Sequence, residues 1–159
     1  MAVPPERNRD LYDPARLAAR IVDGTGDAVV FADRDGVVRL WNRGAEAIFG
    51  WTAAEAVGRT LDLIVPEKQR ARHWEGYRRV MATGETRYGG GLLAVPAVRK
   101  DGARRSIEFT VTLVRDDGGA LVGIAAILRD VTARFEEDRR LRARLRALEE
   151  REAGGDGGR

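Results

Sequence analysis

Three tight-turn signals divide this chain into hairpins. Each combines aspartate with glycine, residues that suit close reversals between strands: Asp33-Arg34-Asp35-Gly36, Arg99-Lys100-Asp101-Gly102 and Asp116-Asp117-Gly118-Gly119. The segments beside them are β-branched or alternate between apolar and polar residues, and they lie at residues 27–32, 37–41, 86–96, 104–115 and 120–128. The pattern predicts five strands joined into one antiparallel sheet.

Helical segments separate the second predicted strand from the third. Thr52 and Glu55 form a capping-box pattern, and a longer helix runs from Pro66 to Met81 and ends at Gly84. A further helix precedes the first strand, with Asp13 as its N-cap and Pro14 in its first turn. The order predicts an α+β fold in which the helices pack on one face of the sheet.

The element pattern also suggests the domain organisation. We expect a flexible tail at residues 1–13 and one folded domain with its N-terminal helix at residues 14–132. A C-terminal helix should follow at residues 133–152, and a disordered tail at residues 153–159.

Composition excludes several kinds of chemistry. The chain has no cysteine, which removes disulfides, thiolate metal sites and cysteine-based flavin adducts. The net charge of +3 is small and spread along the chain, so it does not favour nucleic-acid binding. No apolar run is long enough to span a bilayer, and no signal-peptide core is visible. We expect a cytoplasmic protein, and the strong preference for arginine over lysine is typical of a GC-rich bacterial genome.

The motifs and their order resemble the PAS sensor family over about residues 16–132. The matching residues are Asp35-Gly36, Trp41-Asn42, Phe49-Gly50-Trp51-Thr52, Glu55-Ala56-Val57-Gly58, Arg99-Lys100-Asp101-Gly102 and Arg129-Asp130-Val131-Thr132. The resemblance implies a five-stranded antiparallel sheet, helices on one face, and a ligand-sized cavity between them. Light-sensing members need a cysteine that this chain lacks.

Within that family, the chain resembles the heme-binding domains of bacterial oxygen-sensing kinases. Aligned from Asp101-Gly102, His73 falls on the heme-ligating histidine, and Arg79 falls on an arginine that approaches the heme propionates. Phe109 and Val111 fall on apolar positions of the distal pocket. The arginine that stabilises bound oxygen corresponds to Leu93, so the resemblance implies heme b that responds to carbon monoxide or nitric oxide more than to oxygen.

The residues themselves support two interpretations of this helix. His73 is the only histidine, and a neutral imidazole is a good iron ligand. Gly76 would leave room for a flat macrocycle, and Tyr77 lies one turn after His73. Alternatively, His73 and Arg79 lie on a solvated, arginine-rich helix, and the apolar candidates form an ordinary core.

Two function classes therefore remain. The first is a PAS sensor that binds heme b through His73, responds to a diatomic gas or redox state, and signals through its terminal helices to an output partner. The second is a heme-free module for protein interaction, dimerisation or small-metabolite binding. A partial apolar stripe at Val131, Phe135, Leu141, Leu145 and Leu148, interrupted by Asp138, predicts a homodimer through the terminal helices; the alternative is a single amphipathic helix folded back on the sheet. No catalytic constellation is visible, so we expect no enzymatic activity. The arginine-rich stretch at residues 139–151 leaves a nucleic-acid role as a third, minor hypothesis.

Overall fold

The computed structural model describes residues 12–87 and 91–155. In these ranges, the helices are α1 (Pro14–Gly24), α2 (Arg43–Phe49), α3 (Ala53–Ala56), α4 (Glu67–Thr83) and α5 (Thr132–Gly155), with a 3₁₀ turn at Leu61–Leu63. The strands are β1 (Ala28–Asp33), β2 (Val38–Trp41), β3 (Leu93–Val98), β4 (Arg104–Arg115) and β5 (Leu121–Asp130).

All five strands form one antiparallel sheet in the order β2-β1-β5-β4-β3. The three tight turns produce the β1–β2, β3–β4 and β4–β5 hairpins, and β5 returns to pair with β1. Helices α2, α3 and α4 fill the connection between β2 and β3. The predicted α+β fold is therefore confirmed.

Local capping residues set the helix ends where the sequence predicts them. The Asp13 carboxylate accepts a hydrogen bond from the Arg16 N–H at 2.8 Å and starts α1. Thr52 and Glu55 form the reciprocal capping box of α3. Gly84 ends α4 with a φ of 67°, a left-handed conformation that glycine adopts without steric cost.

Two core clusters lie on the inner, helix-facing side of the sheet. One surrounds Phe49 and Trp41 and packs α2 and α3 against Ala28 and Val30. The other joins Tyr77 and Met81 of α4 to Ala32 and Leu121. The helices thus cover the two ends of the inner face through separate sets of contacts.

Two predicted boundaries require correction. The strand predicted at residues 86–96 begins only at Leu93 and extends to Val98, because its pairing with β4 starts at Leu93 and Phe109. Gly91 and Leu92 lie before the strand, and residues 88–90 lie outside the described ranges. The last helix continues to Gly155 instead of ending at 152.

Most of the two predicted tails cannot be compared with the structure. Residues 1–11 and 156–159 lie outside the described ranges. Within those ranges, no helix is both long enough and apolar enough to cross a bilayer.

Candidate functional site

Three of the predicted pocket residues share the inner face of the sheet. Leu93 pairs directly with Phe109 across β3 and β4. Val111 lies two residues along β4, on the same side as Phe109, because side chains alternate between the faces of a strand. The sheet therefore brings Leu93, Phe109 and Val111 into one continuous apolar wall.

Part of that wall is not filled by the core. Leu93 and Val111 are only half-buried, and neither belongs to either core cluster. They lie on the same face as Val30, which is 2% exposed. The inner face is thus tightly packed at β1 and at Ile107 of β4 and more open at Leu93 and Val111, while Phe109 packs against the edge of the core. We call Leu93, Phe109 and Val111 the β3–β4 strip.

Helix α4 is attached to the β1–β2 hairpin by two aromatic side chains. The Tyr77 hydroxyl lies 2.5 Å from the Asp33 carbonyl oxygen and 3.1 Å from that of Ala32. The Trp74 indole N–H donates to the Asp62 carboxylate at 2.7 Å, and its ring lies directly against Gly36. Tyr77, a candidate cofactor contact, thus has a structural partner on β1, and burial raises the pKa of its hydroxyl.

His73 packs against both of these aromatic side chains of α4. Its ring meets Trp74 edge-on at 5.0 Å between centroids and Tyr77 at 6.0 Å. The Nδ1 atom is buried and has no hydrogen-bond partner among the described residues. Burial lowers the pKa of His73, and the nearby Asp62 carboxylate opposes that shift. The imidazole is therefore neutral at neutral pH, which is the form that binds a metal ion.

Arg79 does not face the same side of α4 as His73. Six residues at 3.6 per turn separate the two side chains by about 120° around the helix. The Arg79 guanidinium is exposed and forms an ion pair with Glu75 at 3.0 Å, one turn earlier. Its role at a propionate stays a prediction, and it would require Arg79 to leave Glu75.

Gly76 occupies open space on the helix. A methyl group added at its Cα would meet no described atom within 4 Å beyond its chain neighbours and the adjacent helix backbone. This clearance agrees with the room predicted for a flat ligand beside α4. No ligand contact of Gly76 is tested by the geometry, so that part stays a prediction.

The structure brings some of the predicted site residues together and leaves others apart. Leu93, Phe109 and Val111 form one wall, and His73, Gly76 and Tyr77 lie along α4. The ring contacts of His73 are with its own helix and do not include the β3–β4 strip. Sequence reasoning missed Asp62, which accepts from Trp74 and influences the pKa of His73. No local pattern reveals it, since Asp62 lies in a short 3₁₀ turn.

The residues fit a heme at one end and not at the other. A buried Nδ1 without a partner, a neutral imidazole and an open apolar wall suit a flat macrocycle ligated by His73. The carboxylate end of such a group requires a cation, and Arg79 is paired elsewhere. Two surface depressions, of about 440 and 370 Å³, lie on α5 and beside Arg99, away from His73.

Comparison with known proteins now identifies the fold family. Residues 22–136 match the family model described as the PAS fold. The chain belongs to the PAS family. A solved PAS domain from Colwellia psychrerythraea superposes with a TM-score of 0.67 at 22% identity, and the match covers 76% of this chain and 99% of that one.

Two curated relatives of this PAS domain are signalling proteins. The sensor protein FixL of Bradyrhizobium diazoefficiens is 28% identical over 123 residues, which are 77% of this chain and 23% of FixL. The signal transduction histidine-protein kinase AtoS of Escherichia coli is 33% identical over 133 residues, which are 82% of this chain and 20% of AtoS. The chain thus spans less than a quarter of the length of either relative. It is a PAS sensor domain with relatives in signal transduction.

Proposed function

We propose that this PAS domain binds heme b between α4 and the β3–β4 strip, with His73 as the proximal ligand. It responds to a diatomic gas or to a change of redox state. Heme b would supply an iron that binds such a gas or changes its oxidation state. The protein acts by binding and conformational change, without catalysing a reaction.

One observation carries the proposal: the buried Nδ1 of His73 has no hydrogen-bond partner in the part of the chain that the structure describes. An unsatisfied buried nitrogen costs free energy, and ligation of a bound group is one explanation for its presence. Ring contacts with Trp74 and Tyr77 orient the imidazole, and Tyr77 in turn is fixed to β1. His73 would therefore hold a metal from a rigid support.

The opposite wall decides which gas is favoured. Leu93, Phe109 and Val111 are apolar and have no side-chain hydrogen-bond donor to offer to a bound ligand. Carbon monoxide and nitric oxide depend less on such a donor than oxygen does. We therefore expect this site to favour carbon monoxide or nitric oxide over oxygen.

A short path connects the wall to the C-terminal helix. Glu108 precedes Phe109 on β4, points to the outer face, and forms an ion pair with Arg134 on α5. The Ser106 N–H also donates to the Thr132 hydroxyl at 2.9 Å. A shift of β4 on ligand binding would change how α5 is held, which biases a population of helix arrangements. The signal would pass to an output partner through α5, in a homodimer of this chain.

The test is a visible absorption spectrum after titration with hemin. We expect a Soret band that His73→Ala abolishes or shifts, whereas Arg72→Ala, an exposed neighbour on α4, leaves it unchanged. A spectrum that is the same in wild type and His73→Ala would remove His73 as the ligand. In wild type, carbon monoxide should shift the reduced spectrum.

A heme-free interaction module is the second candidate, and a specific observation favours it. The outer face of the sheet carries apolar side chains at Val29, Phe31 and Ile127, and Ile127 is 52% exposed. Helix α1 buries none of its residues, and its Ile21 is 62% exposed. Such surfaces suit contact with another protein or another copy. Protein that stays colourless with hemin, yet dimerises, would favour this candidate.

A further inference from the structure

The exposed face of α5 has an arrangement of charges that bears on how two copies would pair. Its apolar stripe contains Leu141, Leu145 and Leu148, which are 57%, 57% and 48% exposed in the single chain. Their spacing of four and three residues is that of alternate core positions in a coiled coil. Asp138 interrupts the apolar stripe one turn before Leu141, and we call Asp138, Leu141, Leu145 and Leu148 the α5 seam.

The spacing fixes which charges flank the seam. Leu141 and Leu148 take the d positions and Leu145 takes an a position, so Asp138 is the preceding a residue. Glu137 and Arg144 then occupy g positions, and Arg142 and Glu149 occupy e positions. In a parallel pair, each g residue faces the e residue five positions later on the partner helix.

These g and e residues are complementary in a parallel pair of identical helices. Glu137 of one copy would face Arg142 of the other, and Arg144 would face Glu149. Both contacts join opposite charges, and each occurs twice by symmetry. None of these four side chains forms an ion pair within the described part of a single chain. They are therefore available to a second copy.

The base of α5 is fixed to the domain, which gives the seam a defined direction. Val131 is buried, Arg134 pairs with Glu108, and the Thr132 hydroxyl accepts from the Ser106 N–H. A parallel pair would therefore place two sheets side by side at the same end of the helices. Asp138 would face its own copy, so like charges weaken the first layer, and the leucine layers together with the flanking charge pairs must hold the dimer.

We propose that the occupant of the α5 seam is a second copy of this chain, in a parallel two-stranded coiled coil with Glu137–Arg142 and Arg144–Glu149 contacts between copies. The inference rests on the homodimer of the proposed function and adds its orientation, register and partner charges. It does not depend on heme, because every residue involved lies on α5.

Cysteine crosslinking of the whole chain tests the orientation, since the chain has no cysteine of its own. Leu148→Cys places two thiols in the same d layer of a parallel pair, within the Cα separation that a disulfide spans. The matched control is Ala143→Cys, on the same helix at the outward f position. Under mild oxidation, the expected result is a covalent dimer for Leu148→Cys and none for Ala143→Cys.

Charge exchange tests the register. Glu137→Arg and Arg142→Glu each place like charges across the seam, and each should raise the dimer dissociation constant by about two- to fivefold per contact. The double variant restores opposite charges and should return the constant to the wild-type value. Light scattering and sedimentation of the wild type and the three variants measure this.

The outcomes separate the two proposals. A wild-type monomer at all concentrations would overturn both the homodimer and the parallel seam. A dimer in which Leu148→Cys fails to crosslink, or in which the double variant is no tighter than the single variants, would overturn the parallel seam alone. Equal crosslinking of Ala143→Cys and Leu148→Cys would also overturn it, because only random collisions would then explain the bond.

Discussion

At the scale of single residues, Asn42 does more than cap the N-terminus of α2. Its side-chain oxygen accepts from the N–H groups of Val29 and Ala45 at 2.8 and 2.9 Å. Its amide donates to the carbonyl oxygens of Val22 and Asp27 at 2.7 and 3.0 Å. One buried side chain therefore joins the end of α1, the start of β1 and the start of α2.

Loss of this side chain should be costly. Asn42→Ala leaves four backbone groups without a partner, and we expect the free energy of unfolding to fall by about 2–4 kcal/mol. The Asn42→Asp variant keeps the acceptor oxygen but removes both N–H donors. It also places a negatively charged carboxylate against the two carbonyl oxygens. Urea denaturation of both variants measures this, and a loss under about 0.5 kcal/mol for Asn42→Ala would contradict the prediction.

His73 gives a prediction about pH. Burial lowers its pKa in the folded chain below the ordinary value of 6.5, so the unfolded chain binds the proton more readily. Stability should then be complete above pH 6.5 and should fall as pH drops below it. The neighbouring Asp62 carboxylate, which is paired with Arg70, reduces this effect without reversing it.

The measurement is the urea midpoint at about pH 5 and about pH 7.5. Titrating carboxylates contribute to the slope in every variant, so the comparison is between variants. His73→Gln should lose less stability than the wild type on acidification, and Arg72→Gln should behave like the wild type. An identical acid loss in His73→Gln and wild type would show that His73 is not the group responsible.

At the scale of elements, the sequence predicts helix ends better than it predicts how the helices attach. The capping box at Thr52 and the left-handed Gly84 are local signals, and both act where predicted. The attachment of α4 to the β1–β2 hairpin depends on Trp74 and Gly36, which lie far apart in sequence. No local pattern encodes that contact, although glycine in the turn is easily predicted.

The contact gives an element-scale prediction. Gly36 has a φ of 76°, and a Cβ there would lie 2.2 Å from the Trp74 ring. Gly36→Ala should therefore cost the left-handed strain, about 1–2 kcal/mol, plus displacement of Trp74 from the hairpin. Urea denaturation and tryptophan fluorescence should report lower stability and a more solvent-exposed indole.

Gly58 supplies the matched control. It has a φ of 88°, and a Cβ there would meet nothing within 4 Å. Gly58→Ala carries similar backbone strain without the clash, so the difference between the two variants isolates the Trp74 contact. Equal losses in both would mean that the Trp74 contact contributes little to the attachment of α4.

At the scale of the whole molecule, the fold is predicted more fully than the site. Three turn motifs and the order of the helices are enough to predict the antiparallel sheet, because hairpins constrain which strands can be neighbours. The wall of the site follows from strand alternation at Phe109 and Val111. By contrast, the link from Tyr77 to β1 joins residues more than 40 positions apart. For Arg79, the sequence gives two conflicting predictions. Helical spacing places its side chain on a different side of α4 from His73, whereas the family resemblance places both residues at one ligand.

The open β3–β4 strip leads to the last prediction. If the space beside Val111 is unfilled, Val111→Phe should fill it and change the free energy of unfolding by less than about 1 kcal/mol. Val30→Phe on the same face is the matched control, because Val30 is 2% exposed and fully packed. That variant should lose about 1–3 kcal/mol through overpacking.

The same pair of variants connects packing to function. Val111→Phe should weaken hemin binding by occupying its place, while keeping the fold and the melting temperature close to the wild type. A Val111→Phe variant as unstable as Val30→Phe would mean that the strip is already filled by neighbouring side chains. In that case the inner face offers no room for a macrocycle, and the partly buried His73 would be a packing residue of α4.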